Sequence, residues 1–163
     1  VLKDVEKIDK IRQSVIKMLG LLNKLLRYKR VLKYVVPKEI KEMITDPHTK
    51  VSLNDFFERV ERGEDPVFYE APIVVISYMP DGGSLPLNDA GIALTYGMLA
   101  AQSLGLGTCW IGYAQEALNR YDELKEMLDI PKDAPVTGVS ILGYPDVEYK
   151  RAPPRAPLDV SWI

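Results

Sequence analysis

The sequence predicts a single domain that mixes helices and strands, and three observations predict it. Val5, Ile8, Ile11, Val15, Leu19, Leu22 and Leu26 recur at steps of three or four, the stripe of an amphipathic helix. Residues 72–78 (PIVVISY) and 136–143 (VTGVSILG) are apolar, β-branched runs that read as strands. The 163 residues suit one domain, and 47% hydrophobic with 27% charged residues is ordinary for a globular chain.

In chain order, Val1-Leu2 reads as the tail of a strand and Asp4 as the N-cap of the first helix. Gly20 lies inside that helix and marks a kink or a break. The pattern stops around Val35-Val36-Pro37, and residues 38–44 read as one or two short turns. Asp46-Pro47-His48 reads as a turn, and Ser52 as the cap of a short helix through Phe56, Phe57 and Val60 to Gly63. The run at 72–78 suits a central strand buried on both faces. After a loop at 80–84, Ser84 or Asn88 caps a helix that runs through Ser103 and closes at Gly105. That helix is apolar nearly all round, with small residues on several faces, which places it at the centre of the fold. Residues 108–113 read as a strand ending at Gly112, and two short helices follow near 115–119 and 122–128. Residues 136–143 form the last strand, and from Tyr144 the chain is a Pro-rich arm that dangles or wraps another surface.

Composition narrows the function. No apolar run reaches the ~18 residues of a membrane span, and charge at Lys3 and Asp4 is unlike a signal peptide. A single cysteine, Cys109, excludes an intramolecular disulfide and a cysteine-rich zinc site, and points to a reducing, cytoplasmic compartment. One histidine, His48, excludes a multi-histidine metal cluster. Net charge is −2, which does not point to nucleic acid. Residues 1–50 carry 13 Lys/Arg against 6 Asp/Glu, whereas the remainder carries 8 against 17. The basic half reads as a solvated helix surface.

Several motifs have plain structural readings. Gly105-Leu106-Gly107 closes a helix and opens a strand, the reverse of a phosphate-gripping dinucleotide loop. Cys109 has apolar neighbours and reads as a buried structural thiol, and His48 as a surface residue. Asp122, Glu123 and Glu126 read as a solvated helix face. Two features have a functional reading beside the structural one. Trp110-Ile111-Gly112 sets a glycine at a strand end, where a ligand can approach backbone N–H groups. Lys150, Arg151 and Arg155 cluster among prolines, and arginine matches a pair of phosphate oxygens geometrically. From the residues alone the reading is an α/β-type domain with a possible anion site.

The stretch DPVFYEAP at 65–72, NDAGIA at 88–93, LAAQSLGLGTCWIG at 99–112 and ILGYP at 141–145 together resemble the later part of the nitroreductase-like flavoprotein family. Their order and separation match over residues 65–155, and the helix-to-strand stretch ending in Trp110-Ile111-Gly112 is the most specific piece. The resemblance implies an α+β fold, with a central, mainly antiparallel sheet flanked by helices and an extended Pro-rich C-terminal arm. It implies one domain over 1–163, with a variable helical region at 5–63 and the arm at 145–163. It further implies a homodimer with FMN at the interface, and a ping-pong cycle in which NAD(P)H reduces the flavin. The reduced flavin then reduces a small-molecule electron acceptor such as a nitroaromatic or quinone.

Carried onto this sequence, the backbone at Ile111 and Gly112, beside Trp110, lies at the reactive edge of the isoalloxazine, where an N–H bonds its N5. Arg151 or Arg155, and more weakly Lys150, hold the phosphate. Family members open with an arginine-rich phosphate-gripping segment, then a segment that lines the flavin just before a strand. Val1 to Lys7 resembles the end of that strand and the next helix, so the sequence reads as N-terminally incomplete. The competing reading is a non-catalytic dimeric scaffold that keeps the fold without flavin turnover.

Overall fold

Asp4 begins the first helix. Its Oδ1 accepts the backbone N–H groups of Glu6 at 3.0 Å and Lys7 at 3.2 Å, and helix α1 follows over Val5–Leu26. The computed structural model describes residues 1–26, 28, 41, 45–79, 85–147, 150, 151, 154–157, 160 and 161. The expected helix stop at Val35-Val36-Pro37, the turns at 38–44 apart from Lys41, and the loop at 80–84 with Ser84 lie outside these. The stripe on α1 is confirmed by burial of Ile11, Val15 and Leu19, although Val5 is exposed. Gly20 makes no break. The helix runs through it, with the Phe57 ring 3.8 Å from where a Cβ would stand.

Asp46-Pro47-His48 is the start of a helix rather than a free-standing turn. Helix α2 covers Pro47–Glu61 because the Asp46 carboxylate accepts the His48 N–H at 2.9 Å and Pro47 supplies a fixed φ at the first position. Ser52 is therefore inside the helix and not its cap. The end comes where expected, as Gly63 takes φ +78° and the Gly63 and Glu64 N–H groups bond back to Val60 and Arg59.

The next turn is held by one buried side chain. Asp65 Oδ1 accepts the N–H groups of Val67 and Phe68, both at 3.0 Å, and Oδ2 accepts that of Glu70 at 3.2 Å. The guanidinium of Arg12 on α1, itself paired with Asp9, adds a contact at 3.7 Å. These bonds support left-handed backbone at Tyr69 and Glu70, with φ of 54° and 58°. The chain is thereby delivered into strand β1, Ile73–Tyr78.

Helix α3 spans Pro86–Ser103, strand β2 Gly107–Trp110, helix α4 Gly112–Arg120, helix α5 Asp122–Met127 and strand β3 Val136–Gly143. The three strands form an antiparallel sheet in the order β1-β3-β2. Leu2 adds a bridge to Val74 on the far side of β1, so Val1-Leu2 is strand tail as expected. The central strand is β3, not β1. Residues Val136 to Ile141 are all buried, whereas Val74 alone in β1 is fully so. Ile76, packed with Val139, and Val74, opposite Ile141, face the main core with α1 and α4.

The opposite face, around Gly138, carries α3. This helix starts at Pro86 with Leu85 as N-cap, so Asn88 lies within it and caps nothing. Gly105, at φ +76°, closes it as expected. Nor is α3 central: among its described side chains Ala90, Leu94 and Ala101 are the buried ones, while Leu87, Ile92, Tyr96 and Leu99 are exposed. An apolar composition all round thus serves two faces, one on the sheet and one unpartnered in the single chain. The described residues beyond β3 from Tyr144 onward are exposed and lie in neither helix nor strand.

Two predictions follow from these contacts. Replacing Asp65 leaves three N–H groups of a buried turn without their acceptor, so Asp65→Ala should lose about 2–4 kcal/mol in urea unfolding. Asp65→Asn, which keeps one acceptor oxygen, should lose less. At Gly138 a Cβ would stand 2.3 Å from Leu94 Cδ1 and 2.9 Å from Trp110 Cζ2. Gly138→Ala should therefore cost about 1–3 kcal/mol through overpacking, and change the near-ultraviolet circular dichroism as the indole is displaced.

Candidate functional site

The residues singled out at the end of β2 are brought together by the sheet. Pairing with β3 places Trp110 opposite Ser140, and the Ile111 N–H donates to the Val139 carbonyl at 2.8 Å. The strand ends at Trp110, two residues before the expected point, because the chain turns directly into α4 at Gly112. The indole of Trp110 rests over Gly138, where no side chain intervenes, and its Nε1 donates to Gln115 Oε1 at 3.3 Å. Trp110 is thus fixed from beneath and along one edge.

Helix α4 opens without a side-chain cap. The first N–H groups of a helix have no intrahelical acceptor, and the helix dipole makes that end electropositive. The N–H of Ile111 is already spent on β3. Those of Gly112 and Tyr113 have no hydrogen-bond partner among the described residues, and a Cβ on Gly112 would meet nothing within 4 Å. Gly112 therefore leaves an open approach to backbone donors.

These residues form one wall of a cleft of about 410 Å³. The opposing walls are Pro66, Val67 and Tyr69 from the Asp65 turn, and Ser52, Asp55, Phe56 and Arg59 from α2. Cys109 also lines it and is exposed, which corrects the expectation of a buried structural thiol. It pairs with Ile141 and so lies on the same sheet face as the main core, but β2 is a short edge strand and leaves it exposed at the margin of that core. His48 is exposed, as are Asp122, Glu123 and Glu126, in agreement with their plain readings.

Arg59 is the cation of the cleft. Its Nε donates to Glu64 Oε2 at 2.8 Å, and its Cζ lies 5.4 Å over the Tyr69 ring centroid. Glu64 also accepts from Arg62 Nε at 2.7 Å. Hydrogen bonds from Arg62 and then Arg59 hold the Glu64 carboxyl below the usual carboxylate range. The restraint on Arg59 is accordingly present at neutral pH and is lost only as pH falls through that lowered value.

Lys150, Arg151 and Arg155 are exposed in the segment after β3 and are not among the residues that line the cleft. The sequence reading missed Asp55, Arg59 and Tyr69. A signal for the first two was present in the 52/55/59 spacing, which puts three polar side chains on the face that also carries Phe56. No signal marked Tyr69, whose placement depends on the long-range support of Asp65 by Arg12.

A planar aromatic ring with electron-rich edge atoms fits this cleft. Trp110, Tyr113, Tyr69 and Phe56 supply apolar and aromatic surface, and Gly112 and Tyr113 supply N–H donors. The isoalloxazine of FMN has that chemistry. A phosphate group is not matched within the cleft, since Arg59 alone among its lining residues is cationic and Glu64 already takes one of its donors. Among the described residues no group of three His, Cys, Asp or Glu side chains is placed to hold a metal ion, and no helix is long and apolar enough to cross a membrane.

Comparison with solved structures agrees with the fold. An FMN-bound nitroreductase from Desulfitobacterium hafniense DCB-2 superimposes with a TM-score of 0.62 at 22% identity, covering 99% of this chain and 72% of that one. An FMN-bound nitroreductase from Bacteroides fragilis NCTC 9343 gives 0.50 at 18% identity, over 96% and 86% of the two chains. An iodotyrosine deiodinase bound to FMN and 3-iodo-L-tyrosine gives 0.50 at 17%, over 99% and 72%. At such identities the likeness shows the mixed helix and antiparallel-sheet fold. The sequence itself matches the model of the nitroreductase family over residues 2–144, the whole span from the Leu2 bridge to the end of β3, and the chain belongs to that family.

Proposed function

We propose that this chain is an FMN-dependent oxidoreductase that takes electrons from NAD(P)H and passes them to a small aromatic or quinone-type acceptor, a nitroaromatic among them. The observation that carries the reading is the uncapped start of α4, where Gly112 and Tyr113, whose N–H groups have no partner among the described residues, line an aromatic cleft. FMN-bound relatives of the same fold support it. When bound, FMN supplies the redox chemistry, accepting a hydride from the nicotinamide and giving electrons to the acceptor.

The protein's part is orientation and polarisation. Gly112 and Tyr113 donate N–H groups to electron-rich ring atoms, and the positive end of α4 favours negative charge there. Ile111 contributes by position, because its N–H is committed to Val139 and ties the wall to the sheet. Trp110 shields the ring edge from water. Arg151, Arg155 and more weakly Lys150 hold the phosphate from the C-terminal arm.

The working unit in this proposal is a homodimer. The exposed apolar face of α3, with Ile92 at 60% and Tyr96 at 71% exposure, is the surface that a second copy covers. The arm embraces that copy and brings its cations to the phosphate. A free, exposed Cys109 suits a reducing cytoplasmic setting.

The purified chain, incubated with FMN and desalted, should retain the visible flavin absorbance and oxidise NAD(P)H when an acceptor is supplied. Arg151→Ala and Arg155→Ala should each weaken FMN binding about 10-fold or more, the loss expected for one charge-assisted phosphate contact. Unchanged affinity in both would remove the arm from the site. A dimer that takes up no flavin and oxidises no NAD(P)H would instead make the chain a scaffold.

A further inference from the structure

Tyr69 combines a strained backbone with a side chain that the core does not use. It and Glu70 are consecutive non-glycine residues in the left-handed region, where glycine or asparagine fits with less strain than a bulky ring. The Asp65 turn imposes that conformation. The Tyr69 N–H donates to the Asp65 carbonyl at 3.1 Å, and the Asp65 carboxylate accepts the N–H groups on either side, from Phe68 and Glu70. Val67 and Phe68, just before it, are buried in the main core, whereas Tyr69 is 54% exposed and belongs to no part of that core. Strain maintained by its surroundings, at a ring that fills no core space, points to a use in the site.

The site it reaches is the cleft, where Tyr69 lies across from Gly112 and Tyr113. The Arg59 guanidinium stands over its ring at 5.4 Å and is itself held by Glu64, so one face of the ring is covered and its direction is restrained. The indole N–H of Trp110 is engaged by Gln115, whereas the Tyr69 hydroxyl makes no hydrogen bond among the described residues. The cleft thus holds a restrained phenol whose O–H is free to turn to a ligand. A quinone reduced to a hydroquinone takes up one hydride and one proton, and the proton needs a donor beside the carbonyl oxygen. We propose that Tyr69 is that donor for a quinone-type acceptor. Its hydroxyl hydrogen-bonds the carbonyl oxygen and gives up its proton as the acceptor takes two electrons with the hydride. The Tyr69 O–H bond breaks, the acceptor O–H bond forms, and the exposed phenolate regains a proton from water. Arg59 over the ring stabilises the negative charge left there. The transfer rests on the flavin reading above, with NAD(P)H as the reductant; the hydrogen bond does not.

Tyr69→Phe removes the hydroxyl and keeps the ring under Arg59, so its urea unfolding should match that of the parent chain. Binding is read without turnover, by ligand-observed NMR on the full chain with and without FMN. The probes are acetophenone, an aromatic ketone, and cumene, its carbonyl-free isostere. The variant should bind acetophenone about 3–10-fold more weakly, the loss of one hydrogen bond, and cumene equally well. In turnover with NAD(P)H, reduction of duroquinone should fall about 10²-fold, as for loss of a general acid. Ferricyanide, which takes an electron and no proton, should be reduced at the parent rate. Unchanged binding of acetophenone, equal weakening of both probes, undiminished quinone reduction, or an equal fall with both acceptors overturns the proposal. Flavin uptake, followed by absorbance, separates the two readings. A chain that takes up FMN yet shows none of these differences rejects the role of Tyr69 alone. A chain that takes up no FMN rejects the flavin reading and the proton transfer with it, and the ketone result then decides the hydrogen bond.

Discussion

The carboxylate of Asp65 stands where three parts of the molecule meet. It is 6% exposed, accepts three backbone N–H groups of its own turn, and faces Arg12 on α1. Such a group is costly to bury alone and stable when its acceptor sites are filled. The turn it holds follows the Gly63 stop of α2, delivers the chain into β1, and maintains positive φ at Tyr69 and Glu70. Tyr69 in turn supports the Arg59 guanidinium. One buried anion thus links the orientation of α1, the path into the sheet and one wall of the cleft.

The opposite wall depends on the central strand. β3 donates no side chain to the cleft, yet it sets both features that matter there. The Val139 carbonyl engages Ile111 and so fixes where β2 ends and α4 begins, and Gly138 leaves the space that the Trp110 indole occupies. Asn119 strengthens the same arrangement, since its side chain donates to the Val136 carbonyl at 2.7 Å and accepts the Val136 N–H at 2.9 Å, fastening α4 to the start of β3. The donors at the start of α4 are thereby carried by a rigid sheet and not by a loop, which is what orientation of a cofactor or substrate requires.

The cleft separates two kinds of chemistry. On the α4 side it presents backbone donors and apolar surface; on the α2 side it presents formal charges of both signs. Arg59 is restrained without being fully neutralised, because Glu64 is shared with Arg62. Restraint of this kind lowers the entropy lost when a ligand is gripped. The exposed apolar face of α3 lies on the other side of the sheet from the α1 and α4 core.

Local chemistry made much of the fold legible in the sequence. The α1 stripe, the Asp4 cap, the glycines that close α2 and α3, and the β-branched runs of β1 and β3 are each decided by neighbours within a few residues, where periodicity and capping act. The Trp110-Ile111-Gly112 stretch was legible for the same reason, and the family match extends the likeness to residues 2–144. Strand order was not legible, because a run of apolar residues in β1 says that a strand is buried but not which neighbour it pairs with. The depth of α3 was not either, since composition does not distinguish a core helix from one that packs on a sheet and keeps a second apolar face. Asp55, Arg59 and Tyr69 became neighbours of Gly112 only when the Asp65 turn and the β2–β3 register brought distant segments around one cleft. Sequence determined the elements and their ends through short-range sterics and hydrogen bonds, and tertiary packing decided which side chains share a wall, because that depends on contacts between residues far apart in the chain.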